Sequence, residues 1–205
     1  MLASHVRPKM TLIPLLPLTT VLYPKMLLPL FVCETKYRKL LRKHSSTGKA
    51  LGIVLIKKAG GGLVVPYDVG TAAKVIAAED TADGCHKFVI KGECKFRVNW
   101  IDYSESILKA EVEPLRDDDG DPGEAEELKK RVEEAFRVYL AILDAKGVSP
   151  PKELVHYLDP LQYSYIVADM LNLNPQEKQR LLAYTHTTER LKAELELLSK
   201  IVDKR

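Results

Sequence analysis

The sequence predicts an α+β chain: a small, twisted, mostly antiparallel β barrel or partial barrel over residues 11–115, then a helical bundle over residues 121–205. Three observations carry this. Apolar residues come in short branched or alternating runs as far as Leu115 and recur at three and four beyond it. The change falls at Arg116–Gly120, a charged stretch read as a flexible junction. Three later segments open with one device, in which Asp or Asn caps, Pro takes the first helical position and Glu or Gln the third.

Residues 1–10 read as a flexible arm. Residues 12–33 are apolar enough to suggest a membrane anchor, but Pro14, Pro17, Pro24 and Pro29 rule out a continuous helix, and unsatisfied backbone is too costly in hydrocarbon. Short buried strands and turns remain. A helix over about Tyr37–Lys43 turns Tyr37, Leu40 and Leu41 inward. Leu51–Ile56 is a buried strand. Gly60-Gly61-Gly62 and Pro66-Tyr67-Asp68 interrupt the chain beyond it. Ala73–Ala78 and His86–Lys91 flank a hairpin loop at Asp80–Gly84, signalled by Asp83-Gly84. Cys94, Phe96, Val98 and Trp100 then alternate with Lys95, Arg97 and Asn99, predicting a strand with the first set inward. Ile107–Val112 supplies another strand.

Beyond the junction the periods predict four helices. They span about Pro122–Lys146, ended by Gly147 and Pro150-Pro151, then Leu161–Leu171, Pro175–Tyr184 and Thr188–Asp203. The caps are Asp121, Asp159 and Asn174. Each is expected to contribute about 1 kcal/mol.

A chain of 205 residues, 46% hydrophobic and 29% charged, is that of an ordinary soluble protein with one sizeable core or two small ones. No secretory leader is recognisable, and a cytoplasmic location is expected. Cys33, Cys85 and Cys94 are odd in number and lack CxxC spacing, which predicts reduced core residues. Residues 1–115 carry 17 Lys and Arg against 10 Asp and Glu, and residues 116–205 carry 14 against 18. The first part is therefore basic and the second acidic.

The ordered motifs resemble one family. Leu15-Leu16-Pro17-Leu18, Val21-Leu22-Tyr23-Pro24-Lys25-Met26 and Pro29-Leu30-Phe31 resemble the opening of the Lon amino-terminal domain. Tyr37–Leu41, Val69-Gly70-Thr71, Gly92 with Phe96-Arg97-Val98, and Ala110–Leu115 continue the pattern. So do Asp169-Met170-Leu171, Asn174–Gln179, Glu189-Arg190-Leu191 and Leu195–Leu198. The resemblance implies a PUA-like pseudobarrel followed by a helical bundle. In Lon proteases this domain engages substrate polypeptide and helps the assembly oligomerise without doing chemistry. The sequence holds no Gly-x-x-x-x-Gly-Lys-(Ser/Thr) phosphate loop, because Gly48-Lys49 is followed by Ala50. No counterpart of the Ser-Lys protease segment is present. A stand-alone, non-enzymatic module without cofactor is therefore expected.

The expected partners are unfolded or exposed polypeptide segments, with a separate ATP-dependent protease downstream and oligomerisation open. No membrane partner is expected. Tyr23, Lys25, Met26 and Leu27, in the loop between Pro24 and Pro29, are the polypeptide-binding candidates, since prolines rigidify such a loop and Met adapts to varied apolar partners. The alternative is a nucleic-acid-binding module using Arg38, Lys39, Arg42 and Lys43, although no aromatic-interleaved basic strip accompanies them. Cys85-His86 with Cys94 makes no convincing metal or nucleophile site, because neighbours on a strand point to opposite faces. His5, His44, His156 and His186 show no ligand spacing. The Gly60–Gly62 run has no helix start behind it to make an anion site.

Overall fold

The four prolines of residues 12–33 leave two strands, β1 (Thr11–Leu18) and β2 (Leu27–Val32), with a turn between them. In the computed structural model, which describes residues 11–57, 64–81, 84–147 and 158–203, these strands belong to the first of two compact units, Met1–Arg116 and Asp117–Arg205. Five further strands complete the first unit: β3 (Leu51–Lys57), β4 (Val65–Pro66), β5 (Val69–Asp80), β6 (His86–Asp102) and β7 (Lys109–Pro114). The order β1-β7-β6-β5-β3 returns to β1 through a parallel β1–β3 pair, so a five-stranded barrel closes. Every other pairing is antiparallel, with β2 added beside β6 and β4 beside β3.

This closure explains how prolines fit within β1. Thr11–Pro14 pair with β7 and Leu15–Leu18 pair with β3. Each half therefore has an unpaired side to which Pro14 or Pro17 can turn its donorless nitrogen. Leu15 and Leu16 feed two different cores. Leu15, Val54, Phe96, Ala110 and Val112 form one. Leu16, Leu22, Leu41, Leu51, Ile53, Ala73, Phe88 and Ile90 form the other, beneath α1 (Thr35–Thr47) and β2. Strand β3 is buried on both faces, which is why it reads as a continuous branched run. The Phe96 ring fills the space at Gly52 and Gly70, where an added Cβ would lie 2.9 and 2.6 Å from it.

Two expectations for this unit are corrected. The alternation expected at Cys94–Trp100 does not hold, since Lys95 is buried, Cys94 is exposed and Trp100 is 56% exposed. The β1–β2 connection lies against this part of the sheet. Thr71, opposite Lys95, donates its hydroxyl to the Leu22 carbonyl at 2.6 Å, so both faces there are covered. A register shift between Val98 and Trp100 then re-aims the strand end. The cysteines are not all reduced core residues either: Cys33 and Cys85 are joined in a disulfide. Val32 pairs with His86, so the next rung sets Cys33 against Cys85 with Cα atoms 4.3 Å apart.

The second unit contains α2 (Pro122–Ala145), α3 (Pro160–Met170), α4 (Pro175–Ala183) and α5 (Thr187–Asp203). The caps form as the sequence implies. Asp121, Asp159 and Asn174 accept from Glu124, Gln162 and Glu177 N–H groups at 2.7, 2.7 and 2.8 Å. Only at Asn174 does the third residue reach back, with the Asn174 N–H donating to Glu177 Oε2 at 3.3 Å. Leu128, Val132, Phe136, Tyr139, Tyr163, Val167, Leu171, Leu191 and Leu198 make the core.

The stretch expected as a flexible junction is fixed to this unit from Asp117 onward. Asp118 N–H donates to the Thr185 carbonyl at 2.7 Å, Thr187 N–H donates to the Asp118 carbonyl at 3.0 Å, and the Thr187 hydroxyl reaches Asp119 at 3.1 Å. No helix among the described residues is long and apolar enough to cross a membrane. The arm 1–10, the glycines 60–62, Asp83, His5 and His156 lie outside the described residues.

Candidate functional site

The turn before β2 sets the site. Met26 N–H donates to the Tyr23 carbonyl at 3.2 Å, and Lys25 N–H donates to the Gly92 carbonyl at 2.8 Å. Pro24 followed by Lys25 at φ 68° is the pattern of a type II turn. Lys25 is the one positive-φ residue other than glycine among those described. Such a conformation costs of the order of 1 kcal/mol or more and persists only where its surroundings enforce it. Backbone bonds to Gly92 hold the turn, the Gly92 N–H donating in return to the Met26 carbonyl at 3.0 Å, and only a glycine allows this approach, because a Cβ there would lie 2.3 Å from the Tyr23 carbonyl oxygen.

The four polypeptide candidates separate in this turn. Tyr23 has no exposed surface and belongs to the framework. Met26 is half-buried and packs on the core beneath β2. Lys25 is exposed, and Leu27 is 56% exposed. Along β2 the alternation is regular. Leu28, Leu30 and Val32 pack inward, while Leu27, Pro29 and Phe31 face out, Phe31 at 61% exposure. Sequence alone does not single out Pro29 and Phe31, because the run is apolar on both faces and period two cannot choose a side. The available signal is the proline itself, placed on a strand with a single partner.

Pairing extends this outer face across the sheet. Leu27, Pro29 and Phe31 lie opposite Lys91, Val89 and Lys87 of β6, and Lys91 lies opposite Lys74 of β5. Ile76, at the β5 bulge, is 52% exposed. The result is an apolar strip with lysines along its side.

The basic candidates on α1 do not act as a set. Arg38 donates to the Gly84 carbonyl and, at 3.1 Å, to Thr35 Oγ1. Arg42 pairs with Asp80, which His86 also contacts. Arg42 and His86 together hold the Asp80 carboxyl below the usual range. Lys39 and Lys43 are exposed. His44 is buried, with Nδ1 2.9 Å from the Lys49 carbonyl oxygen. Among the described residues no group of three or more His, Cys, Asp and Glu is placed to hold a metal.

The second unit has a buried polar centre that the sequence does not announce. Arg190 is fully buried. It donates to the Leu181 carbonyl at 3.1 Å, Ser164 Oγ at 2.9 Å, the Tyr184 carbonyl at 2.9 Å and the Asp117 carboxylate. Its guanidinium lies over the Tyr165 ring, 4.3 Å from the centroid, and the Tyr165 hydroxyl donates to the other Asp117 oxygen at 2.5 Å. Burial pushes the Tyr165 phenol up, so it remains a donor. The sequence signal is two charged residues one turn apart, Arg190 and Glu194, beside the leucine stripe of α5. Glu194, one turn further, is fully buried, and burial pushes its carboxyl well up.

Comparison with known proteins points to one family. The family model of the ATP-dependent protease La (LON) substrate-binding domain matches residues 12–200. A Lon protease from Rhizobium meliloti is 30% identical over 190 residues, covering 89% of this chain and 23% of that protein. Lon protease 2 from Syntrophobacter fumaroxidans is 29% identical over 181 residues, covering 84% and 22%. The chain thus spans less than a quarter of these relatives. Among solved structures, a Lon N-terminal domain protein from Xanthomonas campestris superposes with a TM-score of 0.66 at 26% identity, covering 92% of this chain and 98% of that one. The N-terminal domain of a Mycobacterium avium complex Lon protease gives 0.69 at 21% identity with the same coverage, a likeness of fold.

Proposed function

This chain belongs to the Lon substrate-binding domain family, and from that premise we propose that it is a non-catalytic module that captures exposed apolar polypeptide segments on the outer face of β2. Captured segments would pass to an ATP-dependent protease activity, in a cytoplasmic setting. The observation that carries the reading is the exposed row Leu27, Pro29 and Phe31 on a strand whose inner row, Leu28, Leu30 and Val32, is partly buried against the core. A rigid strand presenting apolar side chains binds without first having to order itself. Lysines beside the row favour segments that also carry acidic residues. Arg38 and Arg42 use their guanidinium donors within the unit, which weighs against a nucleic-acid groove on α1.

The test is binding of reduced, carboxymethylated lactalbumin, a permanently unfolded chain, by fluorescence anisotropy. Leu27→Asp and Phe31→Asp together are expected to weaken binding about tenfold, as loss of a modest hot spot does. Both residues are exposed, so the variant is expected to stay folded, whereas Met26→Asp would also disturb the core. A folded Leu27→Asp/Phe31→Asp protein that binds like the parent refutes the reading.

A further inference from the structure

We propose that the Cys33–Cys85 disulfide is a thiol–disulfide exchange site for a dithiol reductant, and that its state sets the order of the β2 surface. The second half of this proposal rests on the reading of β2 as a polypeptide surface; the first half does not.

The placement is specific. Leu27/Lys91, Pro29/Val89 and Phe31/Lys87 are successive rungs of one face of the β2–β6 pair, and Cys33/Cys85 is the next rung of that face. The bond therefore borders the apolar row, two residues from Phe31. It ties down the end of a strand that has β6 as its single pairing partner.

The two residues differ in exposure. Cys33 is an exposed residue, whereas Cys85 is 9% exposed, so attack falls on Cys33 and Cys85 leaves. A helix start lies beside Cys33, and basic side chains contact the residues that flank Cys85. Cys33 immediately precedes Glu34, the N-cap residue of α1, where no side chain caps the free N–H groups and the first turn carries no acid. Such a helix end stabilises a nearby thiolate. Glu34 is itself paired with Lys36 at 3.1 Å. On the other side, Arg38 is bound to the carbonyl of Gly84, the neighbour of Cys85, and His86 with Arg42 shares the one carboxylate of Asp80. Stabilised thiolates make good leaving groups and a reducible bond. In the cytoplasmic setting proposed above, a disulfide is characteristically transient and redox-sensing.

The step balances. A reductant thiolate attacks Cys33 Sγ, forming a mixed disulfide, and Cys85 departs as a thiolate that takes a proton from water. The reductant's second thiolate then attacks its own bound sulfur and releases Cys33. The protein disulfide gains two electrons, and the dithiol is oxidised to a disulfide. With the bond cut, the Phe31 end of β2 is held by the ladder alone and frays more readily. The surface loses preorganisation and binds more weakly.

The experiment uses the whole chain equilibrated in dithiothreitol buffers of graded redox poise, with alkylation and intact-mass analysis. Lactalbumin binding is measured on the same samples. The expected result without denaturant is a single two-electron transition of Cys33 and Cys85 over a constant label at Cys94, with binding at least threefold weaker in the reduced state. Cys33→Ser should hold binding at the weaker level in every buffer, and Cys94→Ser should keep the full response. Three alkylatable thiols in air-oxidised protein, or reduction only after unfolding, overturns the exchange site. Equal binding in both states, in a protein that Leu27→Asp/Phe31→Asp still weakens, overturns the control of β2 and leaves the polypeptide reading standing. No binding in either state refutes that reading and the control together, while the native two-electron transition would still support the exchange site.

Discussion

Replacing Arg190 with Met would remove the charge at the centre of the second unit while keeping an unbranched apolar stem. The side chain has no exposed surface, and the Asp117 carboxylate it pairs with is 9% exposed. Removing one member of a buried pair typically costs about 3–5 kcal/mol, because the other charge is left without compensation. The carbonyls of Leu181 and Tyr184 and the Ser164 hydroxyl lose a donor as well. These losses share the same residues, so they do not add in full, and the expected destabilisation remains about 3–5 kcal/mol. A unit of this size loses about 4–8 °C of Tm per kcal/mol, so its midpoint should fall by about 12 °C or more. Far-ultraviolet circular dichroism during thermal and urea unfolding reports mainly the helices. The fluorescence of Trp100, the single tryptophan, reports the β unit separately. The double variant Arg190→Met/Asp117→Asn should recover part of the loss, since no charge is then stranded. A loss below about 1 kcal/mol for Arg190→Met, the range of a surface ion pair, would refute a structural role for this centre.

Two further substitutions test other parts. Gly92→Ala places a Cβ against the Tyr23 carbonyl. It should cost about 1–3 kcal/mol or more, as overpacking does, measured by urea unfolding of the β unit, and an unchanged midpoint would show that the Lys25 turn can shift freely. Burial raises the Glu194 carboxyl well above its ordinary 4.5 in the folded state. Above about pH 4.5 the unfolded chain releases this proton while the folded chain keeps it, so stability must fall as pH rises towards the folded pKa. Glu194→Gln removes that slope. Its urea midpoint should exceed the parent's more at pH 8 than at pH 5, and parallel pH profiles would refute the assignment.

The sequence exposes most of the fold because its punctuation is physical. Three Pro-led caps announce α2, α3 and α4, and the structure forms all three. The disulfide is hidden because Cys33 and Cys85 are 52 residues apart and become neighbours only through the β2–β6 register. Alternation sends Lys95 to solvent because it sees one strand at a time, whereas the β1–β2 connection covers that face. Arg116–Gly120 reads as flexible because composition does not reveal that Asp117 will meet Arg190, 73 positions later. The candidate site is half legible: Lys25 and Leu27 lie on the exposed face, Tyr23 does not, and Pro29 and Phe31 stay out of view until the strand is paired.

Barrel closure carries a consequence for synthesis. Thr11 pairs with Val112, so the first strand waits on the ribosome until nearly the whole β unit has been made. Non-local pairing of this kind is slow, because loop entropy must be overcome before any contact rewards it. The helical unit repeats the constraint through Asp117 and Arg190. In both units an early segment is fastened by a late one, so a nascent chain interrupted before either closing contact would keep that early segment loose and offer it to the cell's own quality-control machinery.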